Sequence, residues 1–334
     1  MKRVAITDYW APPAEVEQAE LENIATVDCL QARHESELHG RVADLDGVIL
    51  CHEISLTAEI IPEMTQCQVI VRCGVGYDNV DLKVAGEHGI LVCNVPDYGV
   101  DEVADHAIGM MLGCNRGLFL ADRSLRQSLT PWDMRAVEPI FRICGATMGI
   151  VGLGRIGSAT ARRAQGLGMR VIAYDPHVRP GTDKVLGVEL VSFDELLAQS
   201  DVVSVHTPLS DETRHLIDAT AIAKMKRTSI LINTARGAVV DTDAVADALE
   251  AKTIAAAGID VLPIEPATTE MKLVRLWQED RQPPVNLIIT PHTAFYSQEG
   301  LREMRMKSAR EVARVLQGQA PQNCVNGAFY KARK

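Results

Sequence analysis

A six-residue glycine turn, Gly152-Leu153-Gly154-Arg155-Ile156-Gly157, constrains this chain more than any other feature. Taken alone, a G-x-G-x-x-G pattern says little, because glycine is common. Its flanks give it meaning. TMGIV before it is an apolar run of buried-strand type, and RIGSATARRAQGLG after it has helical spacing at Ile156, Ala159, Ala164 and Leu167. Gly168 is placed to stop that helix. A second strand run, RVIAY, then leads into Asp175, 21 residues after Gly154. Strand, turn, helix and acidic strand end together describe a βαβ unit that holds a dinucleotide.

Each residue type has a reason there. Gly152 permits the tight turn, Gly154 lets backbone approach a pyrophosphate, and Gly157 lets helix and strand pack closely. The helix opens at Arg155 and Ile156, and its free N–H groups face the phosphates. The Asp175 carboxylate would accept from adenosine ribose hydroxyls and repel a 2′-phosphate, which favours NAD over NADP. Arg179, a few residues on, is the one feature that softens this preference.

Short apolar runs alternate with longer amphipathic segments along most of the chain. Strands are expected at 4–7, 48–50, 69–71, 90–93, 148–151, 170–174, 202–206, 230–233, 256–259 and 287–290. Continuous apolar strands between helices mean parallel sheets covered on both faces, so the fold class is α/β, with two doubly wound parallel-sheet domains. One set of strands ends near Pro96, and the other runs from before Gly152 to about Thr290. Residues 101–126 read as one or two helices crossing between the domains, whereas 128–142, with Pro131, Trp132 and Pro139, breaks the βα rhythm. A last helix over 301–317, stopped by Gly318, returns the chain to the first domain. The expected domains are therefore 1–100 plus 296–334, and 101–295.

Composition excludes several other classes. With 47% hydrophobic and 23% charged residues and a net charge of -10, the chain is an ordinary globular protein. It has no basic surface for nucleic acid or an anionic membrane. The opening MKRVAITDYW reads as a strand, not a signal peptide, and no apolar run reaches the roughly eighteen residues of a membrane span. Eight cysteines without a CxxC fit the reducing cytoplasm. No metal is expected, since the nine histidines form no tight pair; those of HESELH are five apart.

Three later segments each put a chemical side chain just past a strand, where open α/β sheets bind ligands. They are Arg236 in ILINTARGAVVD, Glu265 in AAGIDVLPIEP and His292 in LIITPHTAFYS. Hydride transfer between a secondary alcohol and a ketone needs a group that carries the hydroxyl proton, and histidine titrates near neutral pH. A carboxylate on its other nitrogen fixes the tautomer and stabilises the imidazolium. An arginine grips a 2-hydroxy carboxylate with two prongs and polarises the carbonyl oxygen.

Over nearly its whole length the chain resembles the D-isomer-specific 2-hydroxyacid dehydrogenases, most of all their C-terminal-binding-protein branch. VRCGVGYDNVD (71–81), VCNVP (92–96), GIVGLGRIG (149–157), NTARGAVVD (233–241), PHTAFYS (291–297) and NCVN (323–326) carry the resemblance. It implies a flavodoxin-like substrate domain built from both chain ends, a central Rossmann-like NAD domain, and an active site in the family's interdomain cleft. It also implies a homodimer through the NAD domain, with 128–142 as part of the dimerisation arm.

By the same resemblance His292 is the acid/base, Glu265 its partner and Arg236 the substrate-binding arginine. Asp260 helps position the nicotinamide, and the N–H groups of Val75 and Gly76 hold the substrate carboxylate. His52 and Arg72 match substrate contacts of that branch. His206, Thr207 and Pro208 line the cofactor, Thr234 and Ala235 lie near the nicotinamide ribose, and Arg236 and His292 border the cofactor as well.

The chain also departs from the pattern. Phe295 stands where the branch has tryptophan, so that branch's ligand preference does not carry over, and Phe295 joins His52 and Arg72 as a selector of the acid. Val103 replaces a threonine common in the family, removing a hydroxyl from the cofactor pocket. Phosphite oxidation ranks low, because the glycine loop around Val75 has no lysine. The expected activity is interconversion of a small 2-hydroxy acid and its 2-oxo acid with NAD. The alternative is an NAD(H)-sensing corepressor-type interaction module, against which the short N-terminal segment counts.

Overall fold

A computed structural model describes residues 1–279 and 284–332. The chain divides into a split unit, Met1–Gly99 with Ser297–Lys334, and a central unit, Val100–Tyr296.

The split unit carries five parallel strands: β1 (Lys2–Ile6), β2 (Ala25–Cys29), β3 (Gly47–Leu50), β4 (Val69–Arg72) and β5 (Leu91–Asn94). Their spatial order is β2-β1-β3-β4-β5, the flavodoxin-like arrangement, which reverses direction between β1 and β3. Inner strands β3 and β4 are buried at every residue, because helices cover both faces. One face takes the returning helix Gln298–Leu316, which packs on β3, β4 and the short helix Glu15–Glu20. Arg305 of the long helix donates through Nε (2.7 Å) and Nη2 (2.6 Å) to the two carboxylate oxygens of fully buried Glu17. Such a bidentate pair locks chain ends that are 288 residues apart. The NCVN segment closes the β5 edge: Asn326 Oδ1 accepts from Val92 N–H (2.9 Å), and Val325 N–H donates to Val92 O (2.8 Å).

The central unit has seven parallel strands: β6 (Thr147–Val151), β7 (Arg170–Tyr174), β8 (Glu189–Leu190), β9 (Val202–Val205), β10 (Ile230–Asn233), β11 (Ala256–Ile259) and β12 (Leu287–Ile289). They lie in the order β12-β11-β10-β9-β6-β7-β8, which places the Rossmann-type reversal between β6 and β9. One core cluster, with Leu196, Val203, Leu231, Val245 and Leu273, lies under helices Phe193–Gln199, Thr242–Glu250 and Lys272–Gln278. Another, with Met111, Ile150, Ala161, Ile172's neighbour Val171 and Ile232, lies under Val100–Arg116 and Arg155–Gly166. Both sheets are therefore doubly wound.

All ten strand runs expected from the sequence form, and two further strands join them. Those two, β2 and β8, are sheet edges: β2 buries one residue of five outright and β8 none. Residues 101–126, expected to cross between the domains, form two helices of the central unit, Val100–Arg116 and Leu118–Gln127, separated at Gly117 in the left-handed region (φ 60°). Residues 128–142 hold only one 3-10 turn, Met134–Ala136. Among the described residues no helix is long and apolar enough to cross a membrane, and no group of three or more His, Cys, Asp and Glu is arranged to hold a metal ion.

Candidate active site

The glycine turn follows β6 at the topological reversal, and its three glycines answer to three different constraints. Gly152 has φ 93°, and a Cβ there would lie 2.9 Å from the backbone of His206 and Thr207, the loop after β9. Gly157 backs onto the turn itself, since a Cβ would lie 2.0 Å from Gly152 O. At Gly154 a Cβ would meet no protein atom within 4 Å. That side of the turn is open, as a site for a close-lying pyrophosphate requires. The helix Arg155–Gly166 begins there without a side-chain cap, leaving its first N–H groups for an anion. It ends in a Schellman motif, with Gly168 (φ 77°) donating to Gln165 O (2.9 Å) and Met169 to Ala164 O (3.1 Å).

Asp175 stands at the end of β7, as the ribose-binding reading requires. Its Oδ2 accepts from Leu153 N–H (2.8 Å) and Oδ1 from His177 N–H (2.8 Å), so it also braces the glycine turn. Each oxygen keeps a lone pair for a further donor.

Two polar atoms past β9 and β10 have no partner among the described residues: His206 Nδ1 and Thr234 Oγ1. His206 Nε2 lies 2.9 Å from Ser204 Oγ, and burial pushes its pKa down to about 4, so the ring is neutral at physiological pH. Orphaned buried polar groups are rare in native proteins. An open glycine face, an uncapped helix start and two unmatched polar atoms at the ends of adjacent strands fit a bound dinucleotide. Thr207 and Ala235 lie beside them half-buried, and Pro208 is exposed.

Three strand ends of the same unit bring Arg236, Glu265 and His292 together. Gly237 makes this possible, because a Cβ there would lie 2.0 Å from Leu262 C; the loop after β10 thus lies flush on the loop after β11. The Asn233 amide pins the first loop, donating to Arg236 O (3.0 Å) and accepting from Ala235 N–H (3.0 Å). Arg236 Nη1 donates to Ala235 O (2.9 Å). Glu265 Oε1 accepts from Leu262 N–H (2.9 Å), and its Oε2 lies 2.7 Å from His292 Nδ1. Burial pushes the Glu265 carboxyl up. The hydrogen bond and charge of His292, the Leu262 N–H and the Arg236 charge outweigh it, and the pKa is lowered overall. An ionised Glu265 requires a proton on Nδ1, which leaves His292 Nε2 as the ring nitrogen available to a substrate.

His292 has a left-handed backbone, φ 52°, which is costly for a residue with a Cβ. Its N–H donates to Asp260 O (2.8 Å) and Thr290 O (3.0 Å), and these bonds hold the turn. Asp260 is 1% exposed, and its carboxylate is given to the same loop: Oδ1 accepts from Thr290 Oγ1 (2.5 Å) and Thr293 N–H (3.0 Å), Oδ2 from Ala294 N–H (3.0 Å). The residue expected to position nicotinamide thus anchors the histidine loop. Phe295 packs edge-on to His292, ring centroids 6.1 Å apart.

In the split unit the remaining expected residues lie at or past the ends of β3 and β4. Arg72 ends β4, and its Nη1 donates to Cys73 O (2.9 Å) and lies where a Gly74 Cβ would be. The N–H groups of Val75 and Gly76 have no acceptor among the described residues. His52 is exposed and stacks at a tilt against Tyr9, centroids 4.8 Å apart. Its loop is held by Asp8, which the sequence reading did not single out: the buried carboxylate accepts from Cys51 N–H (2.8 Å) and Glu53 N–H (2.8 Å).

Known proteins carry the same pattern. Residues 108–294 match a family model described as "D-isomer specific 2-hydroxyacid dehydrogenase, NAD binding domain". A glyoxylate reductase of Korarchaeum cryptofilum is 38% identical over 297 residues, 88% of this chain and 86% of that protein. A D-3-phosphoglycerate dehydrogenase of Mycobacterium leprae is 37% identical over 87% of this chain, which spans about half (53%) of that longer protein. Among solved structures, a D-lactate dehydrogenase from Aquifex aeolicus, complexed with NAD and lactic acid, superposes with a TM-score of 0.84 at 29% identity, covering 94% of this chain and 96% of that one. A match over more than half the chain and a relative aligned over most of both lengths lead to one conclusion: the chain belongs to the D-isomer-specific 2-hydroxyacid dehydrogenase family.

Proposed function

We propose that the protein is an NAD-dependent dehydrogenase that interconverts a small D-2-hydroxy acid and its 2-oxo acid. The observation that carries this is the 2.7 Å Glu265–His292 pair, set beside Arg236 in a unit that matches an NAD-binding domain. When bound, the nicotinamide supplies or takes the hydride at the substrate's C2. In reduction His292 gives its Nε2 proton to the carbonyl oxygen, and Glu265 stabilises the imidazolium before transfer. In oxidation Nε2 takes that proton back. Arg236 binds the carboxylate and polarises the carbonyl.

Few basic side chains stand among the proposed substrate residues, which favours an unphosphorylated acid. A panel of 2-oxo acids, including glyoxylate, hydroxypyruvate and phenylpyruvate, assayed with NADH and NADPH, tests the reading. At least one acid is expected to be reduced, with kcat/KM for NADH above that for NADPH by about a hundredfold, the size of one or two lost charged hydrogen bonds plus repulsion at Asp175. Asp175→Ser is expected to erase most of that ratio. A protein that binds NADH yet reduces none of these acids overturns the reading and favours the corepressor-type alternative.

The protein is further proposed to be a homodimer of the cytoplasm. Helix Leu118–Gln127 buries none of its residues, and Leu118, Phe119, Leu129, Trp132, Met134 and Phe141 are all exposed, Trp132 by 76%. A monomer rarely leaves so much large apolar side chain in water. All eight cysteines are free thiols, five of them buried, which suits a reducing compartment. Light scattering is expected to give twice the 36.4 kDa chain mass, and Trp132→Ser to shift the protein towards monomer at micromolar concentration. A wild-type monomer at that concentration rejects the dimer.

A further inference from the structure

We propose that His106 and Thr290 are positioning residues for the acid/base histidine, acting through Asp260 as one directed hydrogen-bond chain. The proposal rests on the reading of His292 given above and adds the groups that hold it in place.

The chain starts on a different element from the site. His106 lies within helix Val100–Arg116, and its Nε2 is 3.0 Å from Thr290 Oγ1, just past β12. Thr290 Oγ1 in turn lies 2.5 Å from Asp260 Oδ1, past β11. The proton positions follow from the donor inventory. A buried carboxylate in contact with three donors accepts, so the single hydroxyl proton of Thr290 goes to Asp260. The hydroxyl then has only lone pairs left for His106. His106 must therefore donate from Nε2, which assigns its tautomer whether the ring is neutral or charged. The same Nε2 is 3.6 Å from Asp260 Oδ1, so its N–H also lies near the carboxylate.

What this chain secures is a strained loop. Asp260 touches the His292 loop through both its backbone and its side chain: its carbonyl accepts from His292 N–H, and its carboxylate holds Thr293 and Ala294. With His292 at φ 52°, a loosened Asp260 lets the turn relax and carries Nε2 away from the reacting oxygen. Misplacement of a reacting group by about an ångström costs up to a hundredfold in rate. The binding groups, Arg236 and the glycine turn, lie on other loops and are not held by His106 or Thr290.

The effect should thus fall on kcat more than on binding. Thr290→Val removes both the donor to Asp260 and the acceptor for His106, and is expected to lower kcat about thirtyfold. His106→Leu is expected to lower it about tenfold, as for one hydrogen bond. KM for the oxo acid and the dissociation constant for NADH, read by fluorescence, should stay within about threefold. Two conservative variants should rescue: Thr290→Ser keeps the hydroxyl, and His106→Gln keeps a donor at the Nε2 position. Because the two act in series, His106→Leu should cost little further in the Thr290→Val background.

The wild-type assay separates the two claims. If the wild type reduces no 2-oxo acid, the functional reading fails. If it does, and Thr290→Val matches it in kcat, the chain has no positioning role. Equal losses in Thr290→Val and Thr290→Ser, or additive losses in the double variant, also overturn it.

Discussion

His292→Ala is expected to lower kcat about a thousandfold while NADH binds as in the wild type. General acid–base catalysis by one positioned group is worth roughly a hundred- to ten-thousandfold, and this imidazole has its tautomer and ring orientation set by Glu265. Steady-state turnover with the best 2-oxo acid, alongside NADH fluorescence titration, provides the measurement. Turnover within tenfold of wild type removes His292 from the proton step.

Glu265→Gln refines the same experiment. The amide oxygen can still accept from Nδ1, so the tautomer survives, but the negative charge is gone. Reduction needs a protonated His292, and Glu265 favours that form. Its removal takes away the charge that stabilises the imidazolium, so kcat for reduction should fall about tenfold, or about 1.4 kcal/mol. Since Glu265 is itself held below the usual carboxylate range, the wild-type pair stays intact down to the acid side of that range and is lost only as pH falls through the lowered value. A Glu265→Gln protein that keeps the wild-type kcat contradicts the pairing.

The second large effect separates two glycines of one turn. Gly157→Ala forces a Cβ to within 2.0 Å of Gly152 O, a backbone atom that cannot turn aside. Overpacking against rigid backbone is expected to cost about 3 kcal/mol or more and to lower Tm by about 10 °C without cofactor. Gly154→Ala meets no protein atom within 4 Å and should leave that Tm unchanged. Its methyl instead occupies the space a pyrophosphate would approach, and the NADH dissociation constant should rise at least about tenfold. A Gly154→Ala protein that binds NADH normally would show that the open face of the turn is not the phosphate site.

Legibility in the sequence followed burial. Strands β3, β4, β6, β9, β10 and β11 are buried throughout and read as mostly apolar runs. Strands β2 and β8 escaped notice because an edge strand needs no apolar face: ATVDC has one fully buried residue, and Glu189–Leu190 has none. Arg236, Glu265 and His292, the side chains proposed to carry the reaction, stood out for a similar local reason, each following a strand run at the sheet's carboxyl end. Asp8, His106 and Thr290 were not legible. Nothing in ITDYW or ADHAIG marks a carboxylate that braces a distant loop, or an imidazole 184 residues from the hydroxyl it meets.

The sequence by itself determined the α/β class, and it singled out the glycine turn with Asp175 and the candidates Arg236, Glu265 and His292, because those features depend on periodicity and on residues adjacent in the chain. Only the tertiary structure decided how the turn is braced and how the histidine is held. Asp175 supports the glycine loop through Leu153, Gly237 brings the arginine loop flush against Leu262, and Asp260 gives its carboxylate to the loop of His292. Those contacts join strand ends far apart in sequence. Close packing and hydrogen-bond satisfaction select them, and both are set only when the strands lie side by side.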